Sequence, residues 1–224
     1  MIKAVIFDMF ETLVSLFEGR TYFGEHIAAD VGTDPAAFRK EWHSIEKDRS
    51  IGTYTIEEGL EVALKRLGIY SAEKVELAAS KRRDSLDDTF SGIPDATFEM
   101  LDELKKRNVK IGLITNTFSD ERDYIRASKL FPYFDVALIS YEQGICKPDL
   151  EIFSRMTEQL GVEAGECLYV GDGGSRELYS ARDAGMHPVQ CTWFHDMAYE
   201  PHVPCPILDE FDRADKQTDV LKYL

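Results

Sequence analysis

Four polar clusters in this sequence contain residue types that could carry out a chemical reaction. Asp8 ends the segment AVIFD, Thr115 and Asn116 follow IGLI, Lys147 lies in GICKPD, and Asp172 lies in YVGDGG. Together they offer a carboxylate nucleophile, hydroxyl and amide donors, a cation, and a hard oxygen ligand for a metal ion. Transfer of a phosphoryl group uses each of these components, because negative charge must be stabilised on the transferred oxygens.

The segments that precede these clusters are predicted to be buried parallel strands. Apolar runs rich in β-branched or aromatic residues occur at 4–7, 111–114, 136–139 and 167–170, and a fifth strand is predicted at 189–194. Helical periodicity lies between them at 120–130, 149–160 and 175–184. This alternation predicts an α/β fold, a three-layer α/β/α Rossmann-like sandwich around a mostly parallel five-stranded sheet. Ligands of such sheets bind at the carboxyl ends of the strands.

One long segment departs from this alternation. Residues 15–91 contain no strand candidate and are predicted to form amphipathic helices near 18–30, 35–50, 55–67 and 72–88, before a further helix at 94–107. We therefore expect a core domain of residues 1–14 and 92–224 and an inserted helical cap domain of residues 15–91. Because both connections lie near strand ends, this cap could cover a site as a lid.

Composition excludes several classes of protein. The 26 Lys and Arg residues against 41 Asp and Glu give a net charge of −15, which argues against nucleic acid or an anionic membrane as partner. The N-terminal apolar run is too short for a signal peptide or a spanning helix, so we expect a cytoplasmic protein. The four cysteines include no CxxC pair, which indicates buried structural thiols rather than a zinc site.

The order and the residues of the four clusters resemble those of the haloacid dehalogenase-like hydrolase superfamily, in the subgroup with a helical cap after the first strand. The resemblance covers the whole chain. It implies that Asp8 is the nucleophile that forms a phosphoaspartyl or alkyl-ester intermediate, and that Thr12 braces the loop behind it. It also implies that Thr115 and Asn116 hold the substrate oxygens.

The same resemblance implies a cation and a metal at the site. Lys147, in its Lys-Pro-Asp setting, would neutralise charge on the nucleophile and the substrate. Asp172 would hold Mg²⁺ together with Asp8 and the backbone carbonyl of Phe10. Glu177 stands where the family has an acid that either faces the metal or supports its ligands, and a role in complementing the helix dipole is the alternative.

One departure from the family pattern affects the chemistry. Phosphatase members carry an Asp two positions after the nucleophile, where this chain has Phe10. Phe cannot protonate a leaving alkoxide, which is typically worth about 10²–10⁴-fold in rate. Dehalogenase members resemble this chain in having an aromatic residue there, and a halide leaves without a proton. Glu11, one position further on, is a candidate surrogate acid.

The metal-binding residues favour the opposite interpretation. The dehalogenase branch works without a metal and lacks the Gly-Asp pair that this chain has at Gly171-Asp172. We therefore expect a Mg²⁺-dependent phosphatase that acts on a small phosphorylated metabolite. Displacement of halide from a 2-haloacid is the second hypothesis. A catalytically weak protein that binds a phosphorylated ligand is the third.

Basic residues of the predicted cap are weaker candidates. Arg39 and Arg49 are possible substrate contacts, although helical spacing alone predicts exposed arginines around a core Trp42. The run 81–83 (KRR) is expected to be a solvated face balanced by nearby acids. His195 and His202 are expected to be loop residues rather than metal ligands.

Overall fold

The computed structural model describes all residues from 1 to 224 and contains a six-stranded parallel sheet. The order of the strands across the sheet is β3-β2-β1-β4-β5-β6. This confirms the expected α/β class. The strands are β1 (Ala4–Phe7), β2 (Lys110–Thr115), β3 (Val136–Ile139), β4 (Cys167–Gly171), β5 (His187–Cys191) and β6 (Asp212–Ala214).

The prediction of five strands was wrong by one. Strand β6 has the sequence DRA and is mostly exposed, so it lacks the apolar run that identified the other strands. The fifth strand also begins earlier than predicted, at His187, and ends at Cys191. Its Pro188 pairs only with β4, because β6 joins β5 from Val189 onward, and the missing N–H therefore breaks no hydrogen bond to β6.

Five helices follow the first strand, within the segment predicted as the cap. They bury a hydrophobic cluster of their own, which includes Ile27, Phe38 and Leu60. The predicted helix 35–50 is interrupted at Ile45, whose φ of −115° and ψ of 11° are not helical. The division at residues 14 and 92 itself stays a prediction. The helices are α1 (Gly24–Val31), α2 (Pro35–Ser44), α3 (Glu46–Ser50), α4 (Ile56–Arg66) and α5 (Ala72–Ser91).

The remaining helices cover the two faces of the sheet. Val5 and Phe7 of β1 pack on one face in a cluster with Met100 of the first of these helices, whereas Ile6 packs on the other face with Phe153. This alternation is the period-two pattern of a strand that is buried on both sides. The helices are α6 (Asp95–Lys106), α7 (Ser119–Ala127), α8 (Ser140–Gln143), α9 (Leu150–Leu160) and α10 (Glu177–Asp183).

Helix α10 begins two residues later than predicted because Ser175 and Arg176 have φ values of 51° and 55°, in the left-handed region. The four cysteines form no disulfide; Cys167 and Cys191 are buried as expected, and Cys146 and Cys205 are only partly buried. No helix is both long enough and apolar enough to cross a membrane.

Candidate active site

The polar residues predicted from sequence meet at one edge of the sheet. Asp8 follows β1, Thr115 ends β2, and Asp172 follows β4. Because β1 lies between β2 and β4, these side chains come from three adjacent strands. The order of the strands reverses at β1, and such a reversal opens a crevice where open α/β sheets bind ligands.

Lys147 reaches this edge from the loop between α8 and α9. The Asn116 side chain fixes that loop: its Oδ1 accepts from the Lys147 backbone N–H at 2.8 Å, and its Nδ2 donates to the Lys147 carbonyl at 3.0 Å. Nδ2 also lies 3.3 Å from the Ser175 hydroxyl. Sequence reasoning expected Asn116 to hold substrate oxygens, whereas both ends of its amide here hold the main chain of Lys147.

The ammonium of Lys147 is buried between two carboxylates. Its Nζ lies 2.7 Å from Asp8 Oδ1 and 2.5 Å from Glu177 Oε2. The hydroxyl of Tyr169 lies 3.3 Å from the same nitrogen. Tyr169 was missed by sequence reasoning, although a tyrosine in a fully buried strand two residues before Gly171 needs a polar partner for its hydroxyl.

Glu177 is fully buried at the first residue of α10, and both of its oxygens accept hydrogen bonds. Oε2 accepts from Lys147 and from the Tyr169 hydroxyl at 2.8 Å, and Oε1 accepts from the backbone N–H of Gly173 at 3.1 Å. A Cβ at Gly171 would overlap this carboxylate, so that position needs glycine. Glu177 is therefore held rigidly against Lys147.

Burial governs the ionisation of these groups. It raises the pKa of Asp8 above its ordinary value, against the opposing effect of Lys147, and it raises the pKa of Glu177 to about 8. Burial alone would lower the pKa of Lys147, but the charges of Asp8 and Glu177 outweigh it and raise that pKa. Lys147 is thus a permanent cation at the site.

Three acids surround this single cation. Ligand atoms of Asp8, Asp172 and Glu177 all lie within 4.8 Å of one another. With every acid ionised the cluster carries three negative charges against the one positive charge of Lys147, a surplus of two. Oxygen donors with such a surplus suit Mg²⁺, so the residues present fit the metal that the sequence implied.

A free hydroxyl faces the same region. Thr115 is fully buried and its Oγ1 has no hydrogen-bond partner within the protein. A buried hydroxyl without a partner costs free energy, of the order of 1–3 kcal/mol, unless something else binds it. At the end of β2, beside Asn116, this hydroxyl retains an unused hydrogen-bonding capacity. Thr12 is buried behind the nucleophile loop, with its Oγ1 3.5 Å from the Cys191 thiol.

Comparison with known proteins identifies the family. The family model described as haloacid dehalogenase-like hydrolase matches residues 2–185. The chain belongs to the haloacid dehalogenase-like hydrolase family. This hydrolase is 35% identical to a glyceraldehyde 3-phosphate phosphatase of Methanocaldococcus jannaschii over 42% of each chain. It is 27% identical to a protein of the same name from Methanopyrus kandleri over 100% of this chain and 99% of the other.

Two solved structures share the fold. A 2-haloacid dehalogenase from Pseudomonas syringae aligns with a TM-score of 0.68 and 24% identity, over 99% of this chain and 97% of that one. A haloacid dehalogenase family enzyme from Bacteroides thetaiotaomicron, in complex with magnesium and inorganic phosphate, aligns with a TM-score of 0.57 and 20% identity, over 85% and 94%. At these identities the likeness shows the fold of the hydrolase and no more.

Neither Phe10 nor Glu11 is placed as a simple general acid for the leaving group. The Phe10 ring packs edge-on against Phe90 of α5, with ring centroids 6.3 Å apart. Glu11 has a φ of 55°, and its carboxylate accepts from the Ser15 hydroxyl and the Leu16 N–H, each at 2.8 Å. Burial nevertheless raises the pKa of Glu11 to about 7. Glu11 therefore keeps a proton at higher pH than an ordinary glutamate.

A cleft between the cap helices and the sheet edge adjoins the cluster. Its volume is about 770 Å³, and Asn116, Lys147 and Ser175 line it on the sheet side. His43 and Lys47, from the end of α2 and from α3, line it on the opposite side. The hydrolase therefore has room for a substrate of metabolite size beside Lys147.

One of the two cap arginines, Arg49, does not lie where helical spacing placed it. Arg49 is buried, with its guanidinium 3.6 Å from the Trp42 ring centroid and 3.9 Å from that of Phe118. Two of its three nitrogens, Nε and Nη1, have no hydrogen-bond partner within the protein. Arg39 is exposed, as expected.

The run 81–83 is only partly the solvated face that was predicted. Arg82 is the exception, because its guanidinium is mostly buried and pairs with Asp120 at 2.7 Å and Glu121 at 2.9 Å. The two other residues make exposed ion pairs. His202 also has a partner, since its Nε2 lies 2.7 Å from Glu25 Oε1.

Proposed function

We propose that this hydrolase is a Mg²⁺-dependent phosphatase that acts on a small phosphorylated metabolite through a phosphoaspartyl intermediate on Asp8. The observation that carries the proposal is the buried cluster in which Lys147 alone opposes three acids within 4.8 Å. With all three acids ionised the surplus is two negative charges, and such a surplus in a buried site is costly unless a cation compensates it. A divalent metal would supply that compensation and would attract a dianionic phosphoryl group.

Asp8, Asp172 and the backbone carbonyl of Phe10 are the proposed metal ligands. Glu177 belongs to the same acidic cluster, but its oxygens are used by Lys147, Tyr169 and Gly173. We therefore assign Glu177 to holding Lys147 rather than to direct ligation. The metal, when bound, balances the charge of the phosphoryl oxygens as they pass between the leaving group and the nucleophile.

The reaction then has two displacement steps. A carboxylate oxygen of Asp8 forms a bond to phosphorus while the bond from phosphorus to the leaving oxygen breaks, and that oxygen departs with the electron pair and takes up a proton. Water next attacks phosphorus, the bond to Asp8 breaks, and inorganic phosphate leaves. Lys147, 2.7 Å from Asp8 Oδ1, and the free Thr115 hydroxyl stabilise the charge that develops. Asn116 keeps Lys147 in place through its backbone.

The names of the relatives support the substrate class. Two relatives are called glyceraldehyde 3-phosphate phosphatase, and the first of them is matched over only 42% of its length. A small phosphorylated metabolite is therefore the proposed substrate of this chain. The net charge of −15 argues against nucleic acid or an anionic membrane as the main partner.

Leaving-group protonation distinguishes two versions of this mechanism. Glu11 is the nearest acid in sequence to the position that Phe10 occupies, and a raised pKa would suit it to donate a proton. If Glu11 is the acid, Glu11→Gln lowers kcat on an alkyl phosphate by about tenfold or more and leaves kcat on p-nitrophenyl phosphate nearly unchanged, because nitrophenolate leaves without a proton. Equal rates for wild type and variant on the alkyl phosphate would remove Glu11 from the mechanism.

Phe10 favours a second candidate function, displacement of halide from a 2-haloacid. An aromatic residue at this position cannot donate a proton, and a halide needs none. In that reaction Asp8 would form an ester with the substrate carbon and release halide, and water would then hydrolyse the ester. Release of chloride from 2-chloropropionate in the presence of EDTA would favour this candidate over the phosphatase.

The primary test is release of inorganic phosphate from p-nitrophenyl phosphate, acetyl phosphate and sugar phosphates, with Mg²⁺ or with EDTA. We expect Mg²⁺-dependent turnover, fastest on the aryl and acyl phosphates, that falls by at least about 10³-fold in Asp8→Asn. Asp149→Asn is the matched control, because Asp149 lies two residues after Lys147 but outside the acidic cluster, and Asn also caps helices. Absence of phosphate release from every substrate would contradict the proposal.

A further inference from the structure

The acids that line the cleft between cap and sheet edge all have partners. Glu46 lies 3.1 Å from His43 Nδ1, and Asp149 accepts the Glu151 N–H at 3.0 Å at the start of α9. A second cleft of about 380 Å³ continues along α2 and shares His43 with the first. The acid that lines it, Glu25, is paired with His202 at 2.7 Å.

Two cationic side chains that line these clefts have no hydrogen-bond or ion-pair partner. Lys47 lines the first cleft and Arg39 lines the second, and neither makes a hydrogen bond or an ion pair through its side chain. Most of the other basic side chains of this acidic protein are paired with carboxylates. Lys47 and Arg39 therefore offer cationic side chains that no carboxylate engages beside these clefts.

These cations lie on one side of the cap. Arg39 and His43 are four residues apart on α2 and therefore face the same way. Lys47 of α3 lies beyond the break at Ile45, but it lines the first cleft together with His43. We call Arg39, His43 and Lys47 the cap ridge. His43 and Lys47 of the ridge line the first cleft together with Asn116, Lys147 and Ser175, so a molecule in this cleft beside Lys147 can reach Lys47.

We propose that the cleft selects phosphorylated substrates that carry a second anionic group, a carboxylate or a further phosphate, and that Lys47 binds this group. Arg39 extends the same preference to longer substrates along the ridge. The inference rests on the proposed function, because it requires the phosphoryl group to bind at Lys147 and Thr115. To the proposed phosphatase function it adds the chemical class of the second group on the substrate, and it names Lys47 as a residue that determines specificity.

Calorimetric binding of phosphonates in Mg²⁺ tests this preference without turnover. Phosphonoacetate and ethylphosphonate form a pair of similar size in which only the first carries a carboxylate, and longer homologues extend the pair. We expect the carboxylate member of at least one pair to bind wild type about tenfold more tightly, as a charge-assisted hydrogen bond would give. Lys47→Gln should remove that advantage, and Lys47→Arg should retain it.

Lys40→Gln is the matched control. Lys40 is an exposed and equally unpaired lysine of α2, but it lines neither cleft. Its loss lowers the total charge by the same amount, so it should leave the preference of wild type unchanged. A preference that fell equally in both variants would show a general charge effect and would overturn the assignment of Lys47.

The possible outcomes distinguish failure of this inference from failure of the phosphatase proposal on which it rests. Mg²⁺-dependent hydrolysis of p-nitrophenyl phosphate, combined with equal affinity for both members of every pair, overturns the second anionic group and leaves the phosphatase proposal standing. Failure to bind any phosphonate, together with absence of hydrolysis, overturns both. An advantage for the carboxylate that survives Lys47→Gln unchanged overturns the role of Lys47.

Discussion

Two buried cations in this molecule are each held by two carboxylates. Lys147 lies 2.7 Å from Asp8 and 2.5 Å from Glu177 at the sheet edge. Arg82 of α5 lies 2.7 Å from Asp120 and 2.9 Å from Glu121 of α7. We call these the site cluster and the cap cluster. The geometry of the two is nearly the same.

The charge balance of the two clusters differs. Asp172 adds a third acid to the site cluster, which leaves two negative charges uncompensated when all three acids are ionised. In the cap cluster Arg49 interacts with Arg82, Asp120 and Glu121, and so adds a second cation to two acids. The cap cluster is therefore neutral within the protein, whereas the site cluster needs a further cation.

This difference separates a structural role from a chemical one. A balanced, buried ion cluster joins α5 of the cap segment to α7 beside the sheet, and its charges are compensated without any ligand. Its hydrogen bonding is less complete, because Asp120 Oδ1 and two nitrogens of Arg49 have no partner. The site cluster is incomplete without a ligand, and the unpaired hydroxyl of Thr115 near it adds a second unmet group. Both clusters contain unpaired polar atoms, so the uncompensated negative charge is what distinguishes the site cluster and indicates where a metal binds.

Replacing the central cation of each cluster gives the largest expected contrast. Lys147→Met should lower kcat for phosphate release by about 10²–10³-fold, because it removes a group that stabilises developing charge. Arg82→Met should leave kcat of the folded protein within about threefold of wild type. It should instead lower the free energy of unfolding by about 3–5 kcal/mol, because Asp120 and Glu121 lose their partner.

Urea denaturation followed by circular dichroism measures the stability of each variant, and rates are compared at temperatures where both are folded. Arg82→Lys serves as a milder control that keeps the charge but not the two-pronged geometry. A loss of kcat in Arg82→Met equal to that in Lys147→Met would show that the cap cluster takes part in the reaction and would break the distinction.

The sequence was sufficient to predict three polar residues at one edge of the sheet, because each of them ends or directly follows an apolar strand. Asp8, Thr115 and Asp172 could be placed at one sheet edge from strand order alone. Tyr169 was missed, since its partner Glu177 comes from a different element and the pairing depends on how α10 packs on the sheet. Asn116 was found, but its bonds to the main chain of Lys147 depend on a loop conformation that spacing does not reveal.

The cap cluster could not be predicted in the same way. Arg82 belongs to a run of three basic residues followed by acids, which is the pattern of an exposed helix face. Its burial results from the packing of α5 on α7, a contact between segments about 40 residues apart. Strand β6 was missed for a related reason, because its pairing with β5 rather than its composition makes it a strand.

The most direct test of the account is the effect of Mg²⁺ on thermal stability at constant ionic strength. If Mg²⁺ binds at the site cluster, the Tm of wild type should rise saturably, by about 5–10 °C at a hundredfold excess of Mg²⁺ over its dissociation constant. That rise should vanish in Asp172→Asn and persist in Asp120→Asn, which alters the cap cluster instead. A wild type whose Tm does not respond to Mg²⁺, or an Asp172→Asn variant that responds as fully as wild type, would contradict it.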